Sequence, residues 1–102
     1  MIDVLLICLN DEKNIKNMLE SIKYSNFKKL IIVDGGSTDK TFEIAKEYTE
    51  FVYISEEGMA KQTKLGLNYV KSEYLFFILS TSPALIIPSS SLNAKICLFR
   101  VP

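Results

Sequence analysis

The chain has 102 residues, 48% of them hydrophobic, with 12 basic and 12 acidic residues and a net charge of zero. That is room for one small domain with a core, and it excludes global disorder and a general affinity for nucleic acid, which needs a clustered basic excess. There is no histidine, so the commonest general base and the commonest metal ligand are missing.

"DVLLICL" (3–9) is a continuous apolar run that predicts a strand buried on both faces. Asn10 or Asp11 can cap the helix after it, in which Ile15, Met18, Leu19 and Ile22 form one apolar stripe over 12–24. "LIIV" opens a second strand over 30–34, and a helix over 39–49 follows with Thr41, Ile44, Ala45 and Tyr48 facing inward. "FVYIS" (51–55) is a third strand. Gly58 precedes a helix over 59–71 with Met59, Thr63, Gly66, Leu67 and Val70 on its inner side. "YLFFIL" (74–79) is a fourth buried strand. Such alternation predicts right-handed βαβ units, hence an α/β fold of three αβα layers on a mainly parallel four-stranded sheet.

The composition then changes. Every acid lies at or before Glu73, and from Ser80 onward the only charges are Lys95 and Arg100. The expectation is a unit over 1–82 and a Ser/Pro-rich apolar tail over 83–102. In that tail Ser89 to Ser91 would cap a short helix through about Leu98, packed on the sheet edge. An apolar fourth strand at an open edge invites cover. Either the tail folds over 74–79, or a homodimer or a partner chain does. The start lacks the basic head of a signal peptide, and "YLFFILSTSPALII" is too short and too interrupted to span a bilayer. The expected location is the cytoplasm, with peripheral contact to the inner face of a membrane as the alternative. Cys8, within the first strand, reads as a buried structural thiol.

The chemistry concentrates in "LIIVDGGSTDKT" (30–41). In open parallel sheets ligands bind beyond the carboxyl ends of the strands, and Asp34 stands at such an end. Gly35 and Gly36 permit a tight turn and close approach of a ligand to backbone. Asp34 can accept from a base or a ribose. The plain alternative is a βα turn in which Asp34 is solvated and Asp39 caps the next helix. No dinucleotide G-x-G-x-x-G is present.

Four blocks in order, "CLNDEKNI" (8–15), "IIVDGGSTDKTFEIAKEY" (31–48), "GMAKQTKLGL" (58–67) and "SEYLFFI" (72–78), resemble the start of a family 2 glycosyltransferase of the GT-A fold. The branch they are most similar to builds lipopolysaccharide cores and related surface polysaccharides. The resemblance implies the strand order 3-2-1-4. It implies UDP or a UDP-sugar as ligand, weakly bound, and transfer of the sugar to a glycan or lipid acceptor. It places Cys8, Leu9 and Asn10 along the nucleotide, mostly through backbone, with Glu12 near the ribose and Asp34 at the imide N–H of the base. Gly35 and Gly36 would lie beneath the nucleotide, and Lys61, Gln62 and Lys64 on or beside the helix facing the donor. Asp39 would be a helix-start cap.

The family's fourth strand ends in an aspartate-x-aspartate pair that holds Mg2+ or Mn2+ on the diphosphate. Here Leu79, Ser80, Thr81 and Ser82 occupy that region, and hydroxyls are weak ligands for a hard cation. A metal is therefore expected for the family and doubtful in this chain, and no catalytic residue is assigned. The expectation is a truncated donor-binding half, inactive alone. Its alternatives are a non-catalytic nucleotide-binding or structural remnant, or a subunit completed by another chain.

Overall fold

The computed structural model describes residues 2–23, 27–80 and 94–100, with backbone alone at 80 and 94–100. In chain order it has β1 (Ile2–Cys8), α1 (Glu12–Ile22), β2 (Lys29–Asp34), α2 (Thr41–Lys46), β3 (Val52–Ile54), α3 (Met59–Leu67), β4 (Tyr74–Ser80) and β5 (Ala94–Arg100). The sheet order is β3-β2-β1-β4-β5. The first four strands are parallel and keep the expected order 3-2-1-4.

Alternation along β1 and β2 builds the three layers. Val4, Leu6, Cys8, Leu30 and Ile32 face one side, where Ile15, Leu19, Ile22 and Ala45 of α1 and α2 close over them. Leu5, Ile7, Ile31 and Val33 face the other, against Leu65, Tyr69 and Val70. Both central strands are thus covered twice, which is why their sequences are apolar at nearly every position. Ile15, Leu19, Ile31, Ile32 and Val33 have no exposed surface. Truncating any one of them to alanine is expected to cost about 2–5 kcal/mol.

The inner face of α3 differs from the expected stripe. Met59 and Leu67 are 54% and 45% exposed; Gly66 is buried as expected, and Gln62, which the stripe left out, is buried with it. The reason is close packing. A Cβ on Gly66 would lie 2.4 Å from Leu5 Cδ1, so the missing side chain lets the helix axis settle onto β1, and the face is set by Gln62 and Gly66 rather than by the larger apolar residues. The helices are also shorter than their periodicity suggests. In particular α2 begins at Thr41 because Asp39 turns back to accept from Thr41 N at 2.9 Å.

The tail is a further correction. Residues 94–100 form a strand, not a helix, and pair antiparallel with all of β4, from Tyr74 opposite Arg100 to Ser80 opposite Ala94. The open edge of β4 offers a row of backbone donors and acceptors, and that non-local pairing outweighs the local helix-cap signal of the serines. Ser89 to Ser91 themselves, like Thr81 and Ser82, lie outside the described residues. No helix among the described residues is long and apolar enough to cross a membrane.

Candidate nucleotide site at the strand ends

The carboxyl ends of β1, β2 and β4 stand side by side, with Cys8 in register with Asp34 and Ile7 with Leu79. Two loops leave them, 9–11 toward α1 and 35–40 toward α2, and these are fastened to each other. Asn10 N donates to Ser37 Oγ at 2.8 Å, and Asn10 Oδ1 accepts from Thr38 N at 2.8 Å. Asp11 N donates to Thr41 Oγ1 at 2.8 Å, Glu12 N to Asp39 Oδ2 at 3.2 Å, and Lys40 N to Glu12 Oε1 at 3.3 Å. Asn10 takes a left-handed backbone, φ 48°, to make this turn, a conformation asparagine tolerates better than most residues.

Asp34 is 1% exposed. Its Oδ2 accepts from Gly36 N at 3.2 Å and Ser37 N at 2.8 Å, and its Oδ1 accepts from Ser37 Oγ at 2.5 Å. The Cys8 thiol donates to the same Oδ1 at 3.6 Å. Gly36 has φ 91°, so a side chain there would be strained even though the space is open. Burial, and then the charge and hydrogen bond of Asp34, push the Cys8 thiol well above the ordinary thiol range. It is a core residue at the base of the site, as its sequence setting suggested.

Asp39 serves both loops. Besides Glu12 N it accepts at Oδ1 from Thr41 N and from Thr41 Oγ1. One carboxylate thus meets backbone donors at the starts of α1 and α2 together, positions where helices leave N–H groups without internal partners. Burial works to raise its pKa, but the bonds from Thr41 and Glu12 outweigh that and hold it below the ordinary carboxylate value.

Gln62 is 3% exposed. Its Nε2 donates to Cys8 O at 2.9 Å and to Val33 O at 3.1 Å, and its Oε1 accepts from Gly58 N at 3.4 Å. The amide is committed to joining α3 to the ends of β1 and β2. It borders a 190 Å3 cavity shared with Cys8, Leu9, Gly58, Met59 and Leu79. That volume is below the roughly 300–1,000 Å3 of a ligand pocket, so the cavity alone is too small to enclose a ligand of that size.

Lys61 lies elsewhere. Its Nζ meets Glu56 Oε2 at 2.7 Å in an exposed pair, and with Lys64, Leu65 and Asn68 it lines a separate 570 Å3 cleft beside α3. The structure therefore brings together Cys8, Leu9, Asn10, Glu12, Asp34, Gly35, Gly36 and Gln62, and sets Lys61 and Lys64 apart. Sequence reasoning passed over Ser37 as a partner of Asp34. The signal available was the spacing: an aspartate followed by serine three residues on, across two glycines, suits a side-chain-to-backbone turn.

Beyond Leu79, β4 ends at Ser80. No group of three metal-ligating side chains occurs among the described residues, and the sequence holds no carboxylate after Glu73. In the sequence, Ser80, Thr81 and Ser82 offer neutral hydroxyls, which suit a Mg2+ or Mn2+ ion poorly because it favours charged oxygen ligands.

An open, mainly parallel sheet flanked by helices, with an acid–glycine turn at the carboxyl end of β2, one strand away from the reversal of strand order between β1 and β4, defines an α/β protein of the class that takes ligands at its strand ends. The family described as glycosyl transferase family 2 matches residues 3–78, and the chain belongs to that family. Its sheet is that of the N-terminal part of a GT-A fold. Glycosyltransferase GlyA of Streptococcus pneumoniae is 32% identical over 85 residues, covering 76% of this chain and 12% of that protein. UDP-N-acetylglucosamine–dolichyl-phosphate N-acetylglucosaminyltransferase of Methanococcus voltae is 40% identical over 47 residues, covering 46% of this chain and 19% of that protein. Glucosyl-3-phosphoglycerate synthase from Mycobacterium tuberculosis, solved with Mg2+ and UDP, superposes with a TM-score of 0.71 at 26% identity, covering 78% of this chain and 33% of that one. The same enzyme solved with Mn2+ and UDP-glucose gives 0.70. The chain spans about a third or less of the length of these relatives.

Proposed function

We propose that this chain is the donor-nucleotide half of a glycosyltransferase and takes the uridine diphosphate part of a UDP-sugar at the carboxyl ends of β1, β2 and β4. Asp34 accepts the imide N–H of the base, Gly35 and Gly36 let the nucleotide approach the backbone, and Leu9, Asn10 and Glu12 line the ribose side. The observation that carries this reading is the Asp34 carboxylate, held at the end of β2 beside a glycine with φ 91°. Complexes with UDP and UDP-glucose in the structural relative support the choice of nucleotide. The sugar would pass to a glycan or lipid acceptor in surface-polysaccharide assembly in the cytoplasm, through an active site that needs groups beyond these residues.

A second reading is favoured by one observation. The end of β4 carries Leu79 and Ser80 where a charged diphosphate would be neutralised by metal-bound acids. On that reading the site holds the nucleotide without transferring its sugar.

Titration of the chain with UDP tests the site. A charged acceptor lost from a hydrogen bond costs about 1.5–3 kcal/mol. Asp34→Ala should therefore weaken UDP by about 10- to 150-fold. Equal affinity in the variant and the parent would refute the assignment.

A further inference from the structure

We propose that Ser37 sets the affinity and base selectivity of the site by holding the carboxylate oxygen of Asp34 that a pyrimidine imide N–H would take. The inference rests on the nucleotide-site reading above and concerns a residue which that reading leaves unassigned.

A carboxylate offers about four acceptor positions. At Asp34 four donors meet them: Gly36 N, Ser37 N, Ser37 Oγ and the Cys8 thiol. With only 1% of the residue exposed, an incoming N–H gains a place only when one of the four leaves. Gly36 N and Ser37 N are fixed by the backbone of the turn, whose left-handed Gly36 cannot relax without unmaking it. The Cys8 thiol has Val33 O at 3.8 Å as an alternative acceptor for its one hydrogen, but it is buried on β1 on the core side of the sheet, so the place it would free faces the core and not a ligand. Ser37 Oγ is held by rotation about a single side-chain bond, on a residue that is only half-buried. It is the donor outside the core that can swing away while the fold stays intact.

Leaving is cheap on the other side too. The Ser37 hydroxyl accepts from Asn10 N at 2.8 Å, and Asn10 is exposed, so water can take over that N–H. The hydroxyl and the base therefore compete for Asp34 Oδ1. The apparent affinity for a base with a donor at that position falls by the fraction of time the oxygen is open. Uracil presents an N–H there and can displace the hydroxyl. Cytosine presents a ring nitrogen lone pair, which has nothing to offer a carboxylate, so it gains nothing when the hydroxyl leaves.

The experiment is calorimetric titration of the parent, Ser37→Ala and Asp34→Ala with UDP and with CDP, with a thermal melt of each. Ser37→Ala should tighten UDP by about three- to tenfold while moving CDP by less than about twofold. Ser37→Thr keeps the hydroxyl and should bind UDP as the parent does. Should Ser37→Ala fail to fold, Ser37→Gly removes the same hydroxyl and carries the same expectation. A Ser37→Ala or Ser37→Gly protein that is folded and binds UDP no more tightly than the parent, while Asp34→Ala is weakened, overturns the role of Ser37 and leaves the site standing. Equal tightening of UDP and CDP also overturns it, because selectivity is then unmoved. If Asp34→Ala binds UDP like the parent, or the parent does not bind at millimolar UDP, the site reading falls and the role of Ser37 falls with it.

Discussion

Gln62 stands where a side chain on residue 35 would have to go: a Cβ on Gly35 would lie 2.8 Å from Gln62 Oε1. The glycine and the glutamine are therefore one fitted pair, and the pair joins α3 to the ends of β1 and β2. Gly35→Ala is expected to destabilise by about 1–3 kcal/mol through overpacking. Gln62→Ala is expected to cost about 1–3 kcal/mol by stripping Cys8 O and Val33 O of a buried donor. In the double variant the new methyl group finds room, so the two costs should fall short of their sum by about 1 kcal/mol. Urea denaturation of the four proteins measures this, and strict additivity would show that the pair does not act together.

Asp39 reaches the starts of both α1 and α2, so its loss should be felt as two weakened helix ends. Asp39→Ala should lower stability by about 1–2 kcal/mol, at the upper end for a single cap. The pH dependence has a definite sign. A carboxylate held below its ordinary value of 3.8 in the folded chain contributes its stability fully above that value and loses it as the pH falls through the lower folded value. The stability gap between the parent and Asp39→Asn should thus be constant at neutral pH and shrink at strongly acid pH. Thermal melts from about pH 6 down to about pH 2 would follow it. A gap that widens on acidification would contradict the assignment.

Gly66 is the contact point of α3 with the sheet, with Leu5 Cδ1 at 2.4 Å and Val33 Cγ2 at 3.1 Å from a Cβ built there. Gly66→Ala should improve helix propensity by about 1 kcal/mol, yet the clash with two buried side chains should cost about 1–3 kcal/mol. The net effect expected is destabilisation, read from a lowered melting temperature. A gain in stability would mean that α3 can lift from β1 freely.

Burial and the neighbouring Asp34 both keep the Cys8 thiol protonated, and only a thiolate reacts readily. Iodoacetamide at neutral pH should leave Cys8 unmodified in the folded chain and label it on unfolding, as peptide mapping would show. Prompt labelling of the folded protein at Cys8 would contradict the packing at the base of the site.

Much of this was legible in the residues, and the rest failed for a common reason. The apolar runs of β1 and β2 and the stripe of Ile15, Leu19 and Ile22 state their burial locally, and Asp34 with its two glycines marks the strand end. The double service of Asp39 was hidden because one of its partners, Glu12, is 27 residues away. Gln62 looked like a donor-facing polar residue, since nothing local reveals that its amide is used by carbonyls 54 and 29 residues distant. For β5 the serine run favours a helix start, whereas the edge of β4 that captures residues 94–100 exists only in three dimensions. Signals carried by neighbours along the chain were readable, and those created by pairing across the sheet were not.

The proposed site would hold its nucleotide at Asp34 without help from a divalent ion. Its most direct test is calorimetric titration of the 102-residue chain with UDP in the presence and absence of Mn2+. The prediction is saturable binding whose affinity Mn2+ changes by less than about threefold, because the sequence from Leu79 to Ser82 holds hydroxyls and no carboxylate. A tightening by Mn2+ of about tenfold or more, or no binding at millimolar UDP, would contradict it.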